Sequence, residues 1–259
     1  MLISSEGIVL KQHKIANNRR IITLFTKNYG KISAGTSMNE KGKGKSALAL
    51  RPFTYAEYEI FKNRDSYNIN SAQDKKSYYS IGEDLERFDV ASKLIDYLDK
   101  ILEDEQPRPK LFDMTMEFFE SITKANGNYE TILYSFLVKT LRIQGVMPEL
   151  SCCVNCGKKL DDFGYDLPNR GRGHKFSVEA GGVLCEDCEI IERERSNALI
   201  FKPSFDIIDT ILFFAKTPIE KFEKIALKAE VSQEIKSILN KYIDYYLGIN
   251  VLGDTINWR

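Results

Sequence analysis

The chain has 259 residues, of which 43% are hydrophobic and 29% charged, and its formal net charge at pH 7 is zero. These values are ordinary for a globular protein of one to three domains. No apolar run reaches the roughly 18–20 residues of a membrane span, and the N-terminus lacks the basic and then apolar profile of a secretory signal, so we expect a cytoplasmic protein without a membrane segment.

Charge is unevenly distributed along the chain. Residues 1–80 contain ten lysines and four arginines against six acidic residues, so residues 81–259 carry a matching negative excess. A basic segment of this kind is typical of a face that binds nucleic acid or a membrane, and a solvated basic surface is the plainer alternative.

Strand patterns dominate the first 75 residues or so. Short apolar and β-branched runs separated by turn signals occupy residues 2–14, 20–38, 52–61 and 66–72, and together they predict a small β-barrel. Between two of these runs, residues 38–46 alternate lysine with glycine, which disfavours a helix. We predict a mobile cationic loop there.

Helical spacing begins near Ile81, where apolar residues start to recur at three- and four-residue steps. The predicted helices cover residues 81–102, 111–124, 129–143, 188–197, 204–215 and 232–247. We therefore predict a β domain of residues 1–80 and a helical domain of residues 81–259, with a cysteine-rich insert at residues 150–188.

All five cysteines lie in that insert. Cys153 and Cys156 are separated by two residues, and so are Cys185 and Cys188, a gap that lets a tight turn point both sulfurs at one ion. The two pairs therefore predict four thiolate ligands for one Zn²⁺ ion. Because four thiolates leave no open coordination position, this zinc would stabilise the fold and would not catalyse.

These cysteines have other possible uses. Cys153 and Cys156 alone could form the redox dithiol of a thiol oxidoreductase, but two pairs favour metal. A disulfide framework does not suit a long chain without an export signal. Cys152 has the wrong spacing to Cys156 and is interpreted as a bystander. His174 could replace a cysteine ligand, although a solvated loop histidine is the simpler interpretation.

A basic small barrel predicts a site for single-stranded nucleic acid, because a cationic groove can follow the phosphates while aromatic rings stack on the bases. The candidate phosphate contacts are Lys11, Lys14, Arg19, Arg20, Lys27, Lys31, Lys41, Lys43, Lys45, Arg51, Lys62 and Arg64. The candidate stacking residues are Phe25, Tyr29, Phe53, Tyr55, Tyr58, Phe61 and Tyr67. A place in the barrel core is the favoured alternative for each aromatic residue except Tyr29, which we expect to be exposed in a turn.

Catalytic patterns are missing from the sequence. It contains no phosphate-binding loop motif and no dinucleotide-binding glycine motif, and neither of its two histidines, His13 and His174, belongs to a recognisable triad or metal motif. We expect no enzyme activity.

Several stretches taken together resemble RecO, the bacterial family of DNA repair and recombination-mediator proteins. They are residues 7–11, 20–26 and 29–32, Leu-Arg-Pro-Phe at 50–53, Cys-Val-Asn-Cys-Gly at 153–157, and residues 176–185. The resemblance implies an α+β multi-domain fold with an N-terminal OB-type barrel, a mainly helical C-terminal domain and an inserted four-cysteine zinc finger. The family's segment rich in lysine, glycine, alanine and arginine is replaced here by residues 35–45, which keep the positive charge.

The resemblance also implies a function and partners. It implies binding of single- and double-stranded DNA, annealing of complementary strands, and help from RecR in loading RecA onto single strands coated by single-strand-binding protein (SSB). The implied partners are RecR, the C-terminal tail of SSB and RecF, at the nucleoid. The alternative from another class is a zinc-containing adaptor that docks proteins and has no direct role at DNA.

Overall fold

The computed structural model of the chain describes residues 1–15, 19–38, 45–64, 66–160, 175–195, 199–203 and 207–253, without the side chains of Lys45, Ser46 and Arg195. The chain divides into two compact units, Met1–Tyr129 and Glu130–Arg259. Within the described ranges, no helix combines the length and the apolar character needed to cross a membrane.

The first unit contains a closed barrel of five strands in the order β1-β2-β3-β5-β4. The strands are β1 (Leu2–Lys14), β2 (Arg20–Thr26), β3 (Gly30–Thr36), β4 (Thr54–Lys62) and β5 (Tyr67–Ser77). The long strand β1 closes the barrel because its first half pairs with β4 and its second half with β2. Strands β3 and β5 are parallel, and the other neighbours are antiparallel. The predicted OB-type barrel is confirmed.

Side-chain alternation decides which residues fill the barrel. On β4, the residues from Thr54 to Ile60 alternate between buried and outward positions, and Tyr58 is the largest of the buried ones. The Tyr58 hydroxyl donates to the carbonyl of Ala49 at 2.5 Å. Ala49 ends the short helix α1 (Lys45–Ala49), which contributes to the barrel core. The predicted loop over residues 38–46 is therefore wrong at its end, where α1 begins, and residues 39–44 lie outside the described ranges.

Two helices complete the first unit, α2 (Leu85–Ile101) and α3 (Pro109–Lys124). The Asp84 carboxylate caps α2 by accepting from the backbone N–H of Arg87 at 2.9 Å. Helix α3 begins with Pro109 at its first position, where a missing N–H costs nothing. A 3₁₀ helix, Tyr79–Glu83, leads from the barrel into α2.

Aromatic contacts attach these helices to the outside of the barrel. The ring centroid of Phe112 on α3 lies 5.2 Å from that of Phe25, and Phe53 lies 5.7 Å from Phe88 and 6.0 Å from Phe119. Because both helices bury their apolar faces in this way, the first compact unit extends to residue 129. The division at residue 80 falls just after the barrel strands and stays a prediction of the sequence.

The second unit is mainly helical and holds a small sheet. Its elements are α4 (Tyr129–Ile143), β6 (Lys175–Ser177), β7 (Gly182–Leu184), α5 (Glu186–Arg195), β8 (Ile200–Phe201), α6 (Ile207–Lys216), the 3₁₀ helix Ile219–Lys224 and α7 (Ala229–Leu247). The sheet order is β7-β6-β8. Helix α7 ends at Leu247, and Gly248, with a φ of 66°, forms a left-handed cap.

Candidate metal centre and nucleic-acid interface

The sulfur atoms of Cys153, Cys156, Cys185 and Cys188 lie within 4.8 Å of one another. All four residues are free thiols, and the Sγ atoms of Cys156 and Cys185 are 3.7 Å apart. A tetrahedron with metal–sulfur bonds of about 2.3 Å has edges of about 3.8 Å. The four predicted ligands are therefore brought together at a spacing that fits one tetrahedrally coordinated metal ion.

Backbone hydrogen bonds position the two cysteine pairs. The N–H of Gly157 donates to the carbonyl of Cys153 at 2.8 Å, and Gly157 has a φ of 73°, so the turn between the first two ligands requires a residue that tolerates positive φ. The N–H of Val154 donates to the carbonyl of Val183 at 2.9 Å. This bond joins the first pair to β7, which leads directly into the second pair.

Glu149 makes a second connection across the same module. Its N–H donates to the carbonyl of Gly181 at 2.9 Å, and its carbonyl accepts from the N–H of Val183 at 3.0 Å. A Cβ atom on Gly182 would lie 2.3 Å from the carbonyl oxygen of Glu149. No side chain fits there without moving backbone, so this close approach requires glycine.

The thiols have unequal acidity. Burial opposes ionisation of Cys153, but hydrogen bonds from the backbone N–H groups of Cys185, Cys156 and Asn155 outweigh it and lower the pKa of Cys153 to about 7. Burial raises the pKa of Cys185 and of Cys188. Several thiolates in so small a volume repel one another, and a bound cation would stabilise all four.

One of the two other candidate ligands lies apart from this cluster. Cys152 is half-buried, forms a backbone bridge with Lys159 and is not part of the sulfur group, in agreement with its interpretation as a bystander. His174 lies outside the described residues.

Eight of the twelve candidate phosphate contacts fall into two groups, and the first group is already paired. Four lysines of the barrel meet acidic residues of α2, α3 or the segment between them. The pairs are Lys11–Asp99, Lys27–Asp113 at 2.7 Å, Lys31–Asp104 at 3.6 Å and Lys62–Glu105 at 3.2 Å. Hydrogen bonds to Asp99 and Asp113 raise the pKa of Lys11 and Lys27, respectively. We call these four lysines the paired lysines.

The second group is exposed. The side chains of Lys14, Arg19, Arg51 and Arg64 make no ion pair or hydrogen bond within the described part of the chain, and we call them the free cations. Lys14 and Arg19 flank the β1–β2 connection, and Arg64 lies in the β4–β5 connection.

Four candidates belong to neither group. Arg20 is buried and donates to the carbonyl of Met38, so its role is in the fold. Lys41, Lys43 and the side chain of Lys45 lie outside the described residues.

Most of the candidate stacking residues are buried, Tyr58 and Tyr67 in the barrel core and Phe25 and Phe53 under the helices packed on the barrel. Tyr55 is half-buried. The expected exposure of Tyr29 is wrong, because its side chain is half-buried and packs against the barrel core. Phe61 is 46% exposed.

A charged cleft beside α3 was not predicted from the sequence. It is lined by Glu6, Lys75, Tyr55, Phe112, Lys76 and Glu120, among others. Lys75 bonds Glu6 at 2.6 Å and thereby lowers the pKa of that carboxyl, and burial with a hydrogen bond to Glu6 raises the pKa of Tyr55 to about 12. The available signal was the Lys75-Lys76 pair, which lies near the end of the last barrel strand.

The chain is similar to known proteins over nearly its whole length. The family models "Recombination protein O N terminal" and "Recombination protein O C terminal" match residues 1–78 and 82–253. A DNA repair protein RecO from Caldanaerobacter subterraneus subsp. tengcongensis is 30% identical over 245 residues, covering 95% of this chain and 93% of its own length. Proteins of the same name from Thermoanaerobacter sp. and Alkaliphilus metalliredigens are 28% and 26% identical over 249 residues, covering 96% and 95% of this chain and 94% of each relative.

Proposed function

This chain belongs to the RecO family of DNA repair proteins, and on that premise we propose that it is a DNA-binding recombination mediator. It binds single- and double-stranded DNA through the N-terminal barrel and anneals complementary strands. Together with RecR it helps load RecA onto single strands coated by SSB. It acts by binding and catalyses no reaction.

The position of the free cations carries this proposal. An OB-type barrel binds oligonucleotides with the connections between strands 1 and 2 and between strands 4 and 5. Lys14, Arg19 and Arg64 lie at these two connections, and they have no carboxylate partner among the described residues. The paired lysines hold the barrel to α2 and α3 instead, so phosphates meet positive charge at the loops.

Charge at this place suits strand annealing. Two complementary strands repel each other until their phosphates are neutralised, and the bases must stay accessible for pairing. Side chains that contact phosphates neutralise the strands without occupying the base edges. Affinity gained in this way falls steeply with added salt, because each neutralised phosphate releases counterions.

The metal in this proposal is one structural Zn²⁺ held by Cys153, Cys156, Cys185 and Cys188. An all-sulfur tetrahedral set suits zinc, and the 3.7 Å separation between two of the sulfurs supports this assignment. The ion would fix the turn at Gly157 and the start of α5 against β7. The five cysteines are free thiols, as suits a protein of the reducing cytoplasm working at the nucleoid.

The proposed protein partners are RecR, the C-terminal tail of SSB and RecF. The second candidate function is a zinc-containing adaptor without a direct role at DNA. It is favoured by Ile190 and Ile191 on α5, which are 53% and 43% exposed next to the metal centre. Exposed apolar side chains on one helix are suited to a protein partner.

Strand annealing tests the proposal directly. Metal-loaded protein is mixed with complementary labelled oligonucleotides, with and without SSB and RecR, and duplex formation is followed over time. We expect annealing that SSB slows only slightly and that added salt suppresses. Failure to retard any oligonucleotide in dilute buffer would exclude the DNA role and leave the adaptor.

A further inference from the structure

One row of outward-facing residues runs around the barrel across all five strands. In the strand register, each of its members lies opposite the next on the neighbouring strand. The row consists of Leu2, Phe61, Asn68, Gly35, Ile21 and His13. We call it the cross-barrel strip. Leu2, Ile21 and His13 are exposed and Gly35 and Asn68 half-buried, so the whole strip reaches solvent.

The surface of the strip is depressed at its centre, and the strip is long enough to contact several nucleotides. Neighbouring strands are about 4.8 Å apart, so the four steps from Phe61 to His13 cover about 19 Å. At the centre, Gly35 presents no side chain, and a Cβ atom there would lie 2.9 Å from Oδ1 of Asn68. The amide of Asn68 therefore covers bare backbone, between Phe61 on one side and Ile21 on the other.

Positive charge stands at both ends of the strip. Lys14 follows His13 directly, and Arg19 lies across the same β1–β2 connection. Arg64 lies three residues beyond Phe61, in the β4–β5 connection. All three belong to the free cations, so apolar and amide groups lie between two groups of available charge.

We propose that the cross-barrel strip receives the bases of a single DNA strand and that Phe61 stacks on one of them. This inference rests on the proposed function and names the side chain that distinguishes single strands from duplex. Aromatic rings stack on bases of any sequence, and Phe61 is the exposed one of the Phe, Tyr and Trp side chains among the described residues of the barrel strands. A duplex hides the faces of its bases, so Phe61 has nothing to stack on there.

A negative charge borders the strip and orients the strand. Glu59 precedes Phe61 by two residues on the same outward face, where it accepts hydrogen bonds from Ser71 at 2.6 Å and from Asn70 at 3.3 Å. Phosphates avoid this carboxylate and lie towards Arg64 and Lys14. The bases then lie over the strip, and the backbone follows the loops.

The test compares Phe61→Ala and Phe61→Trp with the parent chain on a labelled single strand and on a duplex of the same length. Phe61→Ala should weaken single-strand binding by about 5- to 100-fold, leave the salt slope unchanged and leave duplex binding unchanged. Phe61→Trp should keep single-strand affinity, and its added indole emission should be quenched by the single strand and not by the duplex. Tyr79→Ala, which removes an aromatic side chain that is 73% exposed outside the strip, is the control and should bind like the parent.

Several results would overturn the inference. They are unchanged single-strand binding by Phe61→Ala, an equal loss of affinity for single strand and duplex, or indole emission of Phe61→Trp that does not change when the single strand is added. Loss of cooperation with RecR without loss of DNA binding would also overturn it and would assign Phe61 to a protein contact. If the parent chain binds no DNA, the proposed function is refuted. If the parent chain binds DNA and Phe61→Ala binds single strands equally well, only the role proposed for the cross-barrel strip is refuted. Melting curves establish that each variant is folded.

Discussion

The division of the barrel cations into paired and free groups predicts the salt dependence of DNA binding. For single strands, the logarithm of the binding constant falls by about 0.7 per phosphate contact for each tenfold rise in salt. The four free cations account for a slope of about 2.8, or about 50-fold in affinity between 50 and 200 mM salt, and Lys41, Lys43 and Lys45 can add up to about 2.1. If all twelve candidates contacted phosphate, the slope would be about 8.4 and the loss about 10⁵-fold.

Two quadruple variants with the same change in net charge test this division. The free variant carries Lys14→Gln, Arg19→Gln, Arg51→Gln and Arg64→Gln, and the paired variant carries Lys11→Gln, Lys27→Gln, Lys31→Gln and Lys62→Gln. Fluorescence anisotropy of a labelled single strand is measured over a range of salt concentrations. We expect the free variant to flatten the slope by about 2.8 and the paired variant to change it by less than about 1.

The paired variant should instead lower the melting temperature, because it leaves Asp99, Asp104, Glu105 and Asp113 without partners at the contact between the barrel and the helices. Equal flattening by both variants would show that the ion pairs open for DNA and that the division is wrong. A flat slope in the parent chain would refute phosphate binding altogether.

Three further predictions concern the metal, the acidic residues and the core. Cys153→Ser and Cys185→Ser should each lose the metal and lower the melting temperature. Cys152→Ser should leave the metal content and the melting temperature unchanged. If mass spectrometry finds the same metal content in all three variants, the ligand assignment is contradicted. The hydrogen bond from Lys75 lowers the pKa of Glu6. Burial raises the pKa of Glu120, but hydrogen bonds from Lys76 and Tyr78 outweigh it and lower that pKa. Both carboxylates therefore stabilise the fold at pH values above their ordinary pKa of 4.5. That contribution should disappear as the pH falls below 4.5 through the lowered values, and urea unfolding of Lys75→Gln should show a smaller loss over the same range. Phe112→Ala removes the ring that packs between Phe25 and Tyr55, and it should lower the free energy of unfolding by about 3–5 kcal/mol. Phe61→Ala, at an exposed position, should lower it by less than about 0.5 kcal/mol. Equal losses would mean that Phe112 does not anchor α3 to the barrel.

Local patterns predicted much of the architecture. The strand predicted within residues 52–61 is observed as β4, with Tyr58 and Ile60 on its buried face and Phe61 on its exposed face. Apolar spacing located α2, α3 and α7. Each pair of metal ligands could be predicted from the Cys-x-x-Cys spacing, because a turn of that length directs both sulfurs to the same side.

What the sequence did not predict depends on contacts between distant segments. Whether Lys27 is free for phosphate depends on Asp113, which is far away in sequence and is brought near by the packing of α3 on the barrel. Tyr29 lies in a turn, and turns are usually exposed, but its side chain packs against the barrel core. Helix α1 was missed because the glycines that precede it outweighed the helix-favouring residues at 47–50.

The contact of Gly182 with Glu149 affects how the metal centre assembles. The bonds from Glu149 to Gly181 and Val183, and from Val154 to Val183, tie the two arms of the chelate together through main chain alone. A metal-free chain can therefore keep both pairs of sulfurs in register, so that capture of the ion is a short local rearrangement and does not require the long loop to close by diffusion. A side chain at position 182 would push the backbone of Glu149 away, and we therefore expect it to slow metal uptake.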